Sequence, residues 1–151
     1  RPERLSPMDR LVIRFWHASA LCQSGRSDEA LTPFHRMEQE ARAIVPADSA
    51  LLTAIRLGKA DAMLESGQAA RALAIYRAVW QSFPEHSDPW WHAFVGSLRC
   101  HARLQADPAE ILQSIRQQRY LAPDLGGGRW ERELTRLEQD LQVRIATRPT
   151  P

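Results

Sequence analysis

The residues of this chain whose types could do chemistry are its five histidines, its two cysteines and a few serines and carboxylates. His17, His35, His86, His92 and His101 show no pair at the spacing of a helix-borne zinc site with its glutamate, and there is no CxxC. The CxxCH of a covalent c-type haem is also missing. Cys100 and His101 are sequence neighbours, so on a helix they diverge. Cys22 and Cys100 lie far apart in apolar stretches, where a free cysteine acts as a small hydrophobe. Ser19 and Ser66 fall in helical or capping positions without the GxSxG elbow of a nucleophilic serine. Carboxylates stand four residues from arginines, as Glu38 does from Arg42, which is ordinary pairing on a helix surface. Gly126-Gly127-Gly128 precedes a helix, and helix starts attract anions. No Lys-Ser/Thr follows, so this is a turn and not a phosphate loop. The expectation is a chain that is not an enzyme and uses neither metal nor cofactor.

Composition narrows the classes further. In 151 residues the formal net charge is +2, and Lys59 is the only lysine. Arginines alternate with acids, as Arg129, Arg132 and Arg136 do with Glu131, Glu133 and Glu138. A nucleic-acid binder needs a basic face, and no such face is expected here. No stretch approaches the roughly 20 apolar residues that span a bilayer, so no membrane insertion is expected. The start carries no basic–apolar–small leader. It opens on Arg1 rather than Met, which suggests a domain of a longer product or a processed chain. Two unpaired cysteines favour a reducing, cytoplasmic setting.

The elements that must position any working surface are helices. Glycine and proline cluster at the ends of periodic stretches, where helix punctuation belongs. Ser6-Pro7-Met8-Asp9 supplies a cap, a first-turn proline and an acid, opening a helix to about Ser24. Further helices are expected from Ser27 to Ile44, from Asp48-Ser49 to Ser66, and from Gln68 to Phe83. Three more run from Ser87-Asp88-Pro89 to Leu104, from the Asp107-Pro108 cap to Leu121, and from Arg129 to Ile145. Thr147 to Pro151 looks frayed. Pro33 lies inside the second helix and should kink it. No sustained period-two alternation exists, so no sheet is expected.

An internal repeat organises these helices. Residues 13–37 align without gaps to residues 55–79 at a constant offset of 42. Ala18 meets Ala60, Ser24-Gly25 meets Ser66-Gly67, Ala30-Leu31 meets Ala72-Leu73, and Phe34 meets Tyr76. Physically this is a helical hairpin. Gly25 and Gly67 end the first helix at a position that needs positive φ. Ala18, Ala30, Ala60 and Ala72 give close-contact points, and Phe34 and Tyr76 fill the space one turn on. One hairpin cannot bury its apolar stripe alone, so hairpins must stack.

On these residues, and on Pro84 at the close of the second unit, the chain resembles the tetratricopeptide repeat (TPR) family. A third, degenerate unit carries Trp90, Trp91, Phe94, Ile111, Ile115 and Pro123. The resemblance implies a single all-α domain over 1–151, with repeats at about 11–46, 53–86 and 88–123 and a capping helix at 129–145. It implies about seven helices stacked as a short right-handed solenoid. The 42-residue spacing exceeds the family's usual 34. Arg14, His17, Arg56 and Lys59 stand where the family has an aromatic and a leucine.

The resemblance also implies a function: a scaffold or adaptor that binds a protein or peptide on its concave face. The family lines that groove with the first helix of each hairpin. Carried onto this chain, that implicates Val12, Phe15, Ser19 and Cys22, then Ala54, Leu57, Asp61 and Leu64, and in the third unit His92 and Arg99. Leu57 and Leu64 are then an apolar stripe open to a partner, with Asp61 between them. The alternative is an accessory domain of a larger enzyme or regulator that packs on a neighbouring domain. The aromatics Trp80, Phe83, Trp90, Trp91 and Phe94 are read as core. Trp90 and Trp91 point about 100° apart, so one of them is expected to be partly exposed.

Overall fold

The computed structural model describes residues 4–149, and these are all-α. Seven helices follow in order: α1 (Pro7–Gln23), α2 (Ser27–Ile44), α3 (Ala50–Glu65), α4 (Ala69–Ser82), α5 (Asp88–Arg103), α6 (Pro108–Leu121) and α7 (Gly128–Ala146). No strand occurs among the described residues. Thr150 and Pro151, part of the segment expected to fray, lie outside them.

The punctuation acts as its chemistry requires. Ser6 and Asp9 form a reciprocal capping box, with the Asp9 N–H donating to Ser6 Oγ at 3.0 Å and the Ser6 N–H to Asp9 Oδ2 at 3.1 Å. Asp107 accepts the Ala109 N–H at 3.1 Å, one residue past Pro108. At the first two hairpin turns, Gly25 and Gly67 sit at φ 78° and 81°. The next N–H then closes back across the helix end, Arg26 to Leu21 O and Gln68 to Met63 O, each at 2.8 Å. The third hairpin makes the same closure, Ala106 N–H to His101 O at 2.9 Å, but with Gln105 at φ 62° in the glycine's place. The third unit also has Glu110 and Ser114 where the first two have an alanine and an aromatic. Pro33 is carried inside α2, which continues to Ile44.

The chain divides into two compact units, and the division falls inside α4, between Ile75 and Tyr76. In the first unit α1 packs on α2, α2 on α3, and α1 on α3. Leu11, Ala18, Ala30, Phe34, Met37, Ala41, Leu52, Ile55 and Ala62 form its core. Ala18, Ala30, Phe34, Ala60 and Ala72 are fully buried, as the repeat register requires. The Phe34 ring lies against the backbone of α3 at Gly58, where a β-carbon would stand 2.7 Å from it. Charged residues of α1, α2 and α3 pair with carboxylates of α2. Lys59 Nζ reaches Glu38 Oε2 at 2.9 Å, Arg42 holds Oε1 at 2.6 Å, and Arg14 spans from α1 to Glu40 of α2 at 2.7 Å.

The second unit is built on aromatics. Trp90, Trp91, Phe94, Leu98, Ile111, Ile115, Leu125, Trp130, Leu134 and Leu141 form one cluster from α5, α6, α7 and the turn before α7. Both Trp90 and Trp91 are buried, so the expectation that one is partly exposed fails. The cause is packing on two sides: Trp90 stacks on Phe94 at 5.1 Å while His86 stacks on Trp91 at 5.3 Å. Trp80 departs the other way, being exposed rather than core. The turn at Gly126 presses onto the Trp91 indole, leaving no room for a side chain. Tyr76, fully buried, repeats the Phe34 contact by lying on Gly96 of α5. Trp130 Nε1 donates to Asp88 Oδ1 at 2.8 Å, and Arg119 holds Glu138 with two hydrogen bonds between α6 and α7.

Candidate functional site

Helix α1 buries only Leu11 and Ala18 completely. Successive residues turn by about 100°, so Trp16, two before Ala18, points nearly opposite to it. Trp16 is accordingly 66% exposed and Ile13 54%. Met8 and Val12 are also exposed, at helical spacing along the same flank, and Leu5 is exposed just before the helix. Phe15 lies half-buried beneath this surface, edge-on to Trp16 at 5.6 Å and to Phe34 at 6.2 Å. The inner aromatic therefore anchors the outer one to the core. Sequence reading missed Trp16, because its residue type says core and only its register against Ala18 says otherwise.

The residues carried over from the family resemblance fall into three groups. Val12 is exposed, and Phe15, Ser19, Cys22, Ala54 and Asp61 are half-buried, all in the first unit. His92 and Arg99 are half-buried residues of the second unit. Leu57 and Leu64 are buried, 4% and 0% exposed, so the open apolar stripe expected there does not exist. The reason lies in α3, whose buried residues Leu52, Thr53, Ile55, Leu57, Ala60, Ala62, Met63 and Leu64 wrap roughly two-thirds of its circumference. The remaining strip carries half-buried Ala54, Gly58 and Asp61 and exposed Glu65, and the Phe34 ring covers it at Gly58. That strip is small and acidic, not apolar.

Electrostatics at these positions oppose nucleophilic chemistry. Burial pushes the Cys22 thiol up, the Asp61 and Glu65 charges push it further, and a hydrogen bond with Ser27 opposes them in part. The thiol is therefore protonated at neutral pH. His101 is pushed down, first by burial and then by the charge of Arg77. His92 lies 5.0 Å from the Trp130 ring and 6.5 Å from Tyr76, an aromatic setting. Arg99 lines a shallow depression with Arg103, Arg136 and Arg144, which Glu133 and Asp140 interrupt. Among the described residues, no three of His, Cys, Asp or Glu converge as metal ligands would. No described helix is long and apolar enough to cross a membrane.

No protein-family model, no curated protein and no solved structure matches the chain. The functional reading rests on its own surface.

Proposed function

We propose that this chain is a protein-interaction module that binds a protein or peptide through its first hairpin. The observation carrying the reading is the outer face of α1, where Met8, Val12, Ile13 and Trp16 are exposed, with Leu5 exposed just before the helix. A contiguous apolar face on a folded chain is costly unless something covers it. Exposed tryptophan is also the side chain most often found at binding hot spots. Val12, Phe15, Ser19 and Asp61 remain the groove candidates in the first unit, with His92 and Arg99 in the second. Leu57 and Leu64 are withdrawn. The resemblance to tetratricopeptide repeats supports the same reading, through the stacked hairpins and their turn glycines.

A second reading is favoured by one feature, the helical face itself. The α1 stripe lies on the outside of a single helix, and an accessory domain would pack such a face onto a neighbouring domain. One experiment separates the two. A photo-crosslinking residue replaces Trp16 in the full gene product, with a control at exposed Gln139. Crosslinks to a second protein, absent with the control, support a binding module. Crosslinks only within its own chain support an accessory domain. Equal labelling from both positions, with binding unchanged in Trp16→Ser, refutes the reading altogether.

A further inference from the structure

The seam between α1 and α2 adjoins the outer face of α1, sharing Ile13 with it, and holds two neighbouring depressions. One, of about 510 Å³, lies between Ile13, Arg14 and His17 of α1 and Thr32, Pro33 and Arg36 of α2. The other, of about 300 Å³, lies between Pro7, Arg10, Leu11 and Arg14 of α1 and Glu40, Ala43 and Ile44 of α2. Each has an apolar lining: Ile13 and Pro33 in the first, Pro7, Leu11, Ala43 and Ile44 in the second. Ile13 and Ile44 are 54% and 49% exposed, so this lining is open to solvent.

The charges around the seam are mostly basic. Arg10, Arg14 and Arg36 border it with His17, and Arg14 borders both depressions. Among the described residues, Glu40 is the one carboxylate in either lining, and Arg14 neutralises it at 2.7 Å. The next acid along α2 on this side, Glu29, is held by Arg26 at 2.6 Å. A ligand seated here meets two apolar hollows rimmed by arginine.

Their separation selects a shape. From one depression to the other, the lining moves about four residues along α1 and about nine along α2. At 1.5 Å per residue this is roughly 6 and 13 Å, or about 10 Å between centres. Two side chains seven apart on a helix are separated by about the same distance. We propose that the α1–α2 seam binds an acidic amphipathic helix of a partner protein, which seats apolar side chains seven residues apart in the two depressions and sets carboxylates against Arg10 and Arg36. This rests on the protein-binding reading and names the partner's chemistry. An anionic membrane would share the charge preference. The paired depressions at a seven-residue spacing favour a helix, and phosphatidylserine vesicles are the arm that tests the alternative.

The test is a selection of displayed helical peptides against the intact protein. The library fixes leucines seven residues apart and randomises the flanking positions. Selected peptides should be rich in Glu and Asp, and anisotropy should show tighter binding at low salt. The double variant Arg10→Glu/Arg36→Glu should weaken them 10-fold or more, while Arg10→Lys/Arg36→Lys should weaken them far less. If the double variant melts early, Arg36→Glu alone carries the comparison. Neutral or basic selected peptides, or acidic ones indifferent to charge reversal, overturn the proposal. So does binding to phosphatidylserine vesicles, or dimerisation on sedimentation, where charge reversal abolishes it and leaves the selected peptides bound. Peptides lost in Trp16→Ser but kept on charge reversal would move binding to the outer face of α1. The seam would then fall while the protein-binding reading stands. A library that yields no binder, together with equal labelling from positions 16 and 139, would remove both.

Discussion

Gly58→Ala tests the contact on which the first unit is stacked. In an exposed helix interior this change would stabilise by about 1 kcal/mol, because glycine is the poorer helix former. Here the new methyl would stand 2.7 and 2.8 Å from two ring carbons of Phe34, well inside van der Waals contact. Phe34 is fully buried, packed among Ala30, Met37 and Ala41, and cannot swing away cheaply. Overpacking of this kind costs about 1–3 kcal/mol. At so close an approach to a fully buried ring the clash lies in the upper part of that range, about 2–3 kcal/mol, so net of the propensity gain the expectation is a loss of about 1–2 kcal/mol. For a chain this long, Tm should fall by roughly 2–8 °C. The assay is thermal unfolding followed by circular dichroism, with Phe34→Leu and the double variant completing a cycle. Phe34→Leu alone should destabilise, and Gly58→Ala should cost less in its presence, because the smaller side chain makes room. A Gly58→Ala variant as stable as the parent, or costs that simply add, would show that Phe34 does not rest on α3 at this glycine.

Four further outcomes follow from named contacts. Gly67→Ala meets no atom within 4 Å but must hold φ 81°, so it should cost about 1 kcal/mol through the backbone alone, measured by the same melts. Gln105→Gly should do the reverse and stabilise by about 0.5–1 kcal/mol, since Gln105 holds φ 62° in the equivalent turn. Leu57→Glu with Leu64→Glu should unfold the chain rather than spare the fold and block a ligand, because each carboxylate would be buried; circular dichroism at neutral pH decides it. Burial acts to raise the Glu38 carboxyl, but the Lys59 hydrogen bond and charge, with Arg42 and Arg56, outweigh it and hold the pKa below 4.5. A depressed carboxylate stabilises above its unfolded value and loses that contribution as pH falls through the folded one. Tm of the parent should therefore drop in acid below about pH 4.5, and Glu38→Gln should flatten that drop.

The helices were legible because their ends are written in residues with one physical job each. Ser6, Pro7 and Asp9 stop, start and charge α1; Gly25 and Gly67 permit the left-handed turn that ends α1 and α3. The repeat was legible for the same reason, and it placed Ala18, Ala30, Phe34, Ala60, Ala72 and Tyr76 at buried contacts, where all six lie. What the repeat did not reveal was the partner of each aromatic. Gly58 and Gly96 stand in helix interiors, and Phe34 and Tyr76 rest on them. The signal was present, since a glycine inside a helix needs a close approach to justify its cost.

The candidate surface was less legible, and α3 and α1 show why. A family rule places groove residues by register, and a register error of one step turns a helix by about 100°. On α3 that is the difference between Leu64, which is buried, and Glu65, which is exposed. Composition made the error attractive, because leucines suit a peptide groove and a glycine and two acids do not. On α1 composition misled in the opposite direction, since a tryptophan suggests a core. The deciding residue in both helices is the small one. Ala18 must face the core at a close helix contact, which fixes the direction of Trp16 two residues earlier as outward. Ala60 is likewise buried, and Leu57 and Leu64 fall within about 60° of it, on its side of α3. Asp61 lies about 100° from Ala60, on the remaining strip. Small residues at close contacts therefore set the register more reliably than large ones. Read from Ala18 alone, the chain already assigns its most exposed tryptophan to the surface, and with it the face on which a partner would be sought.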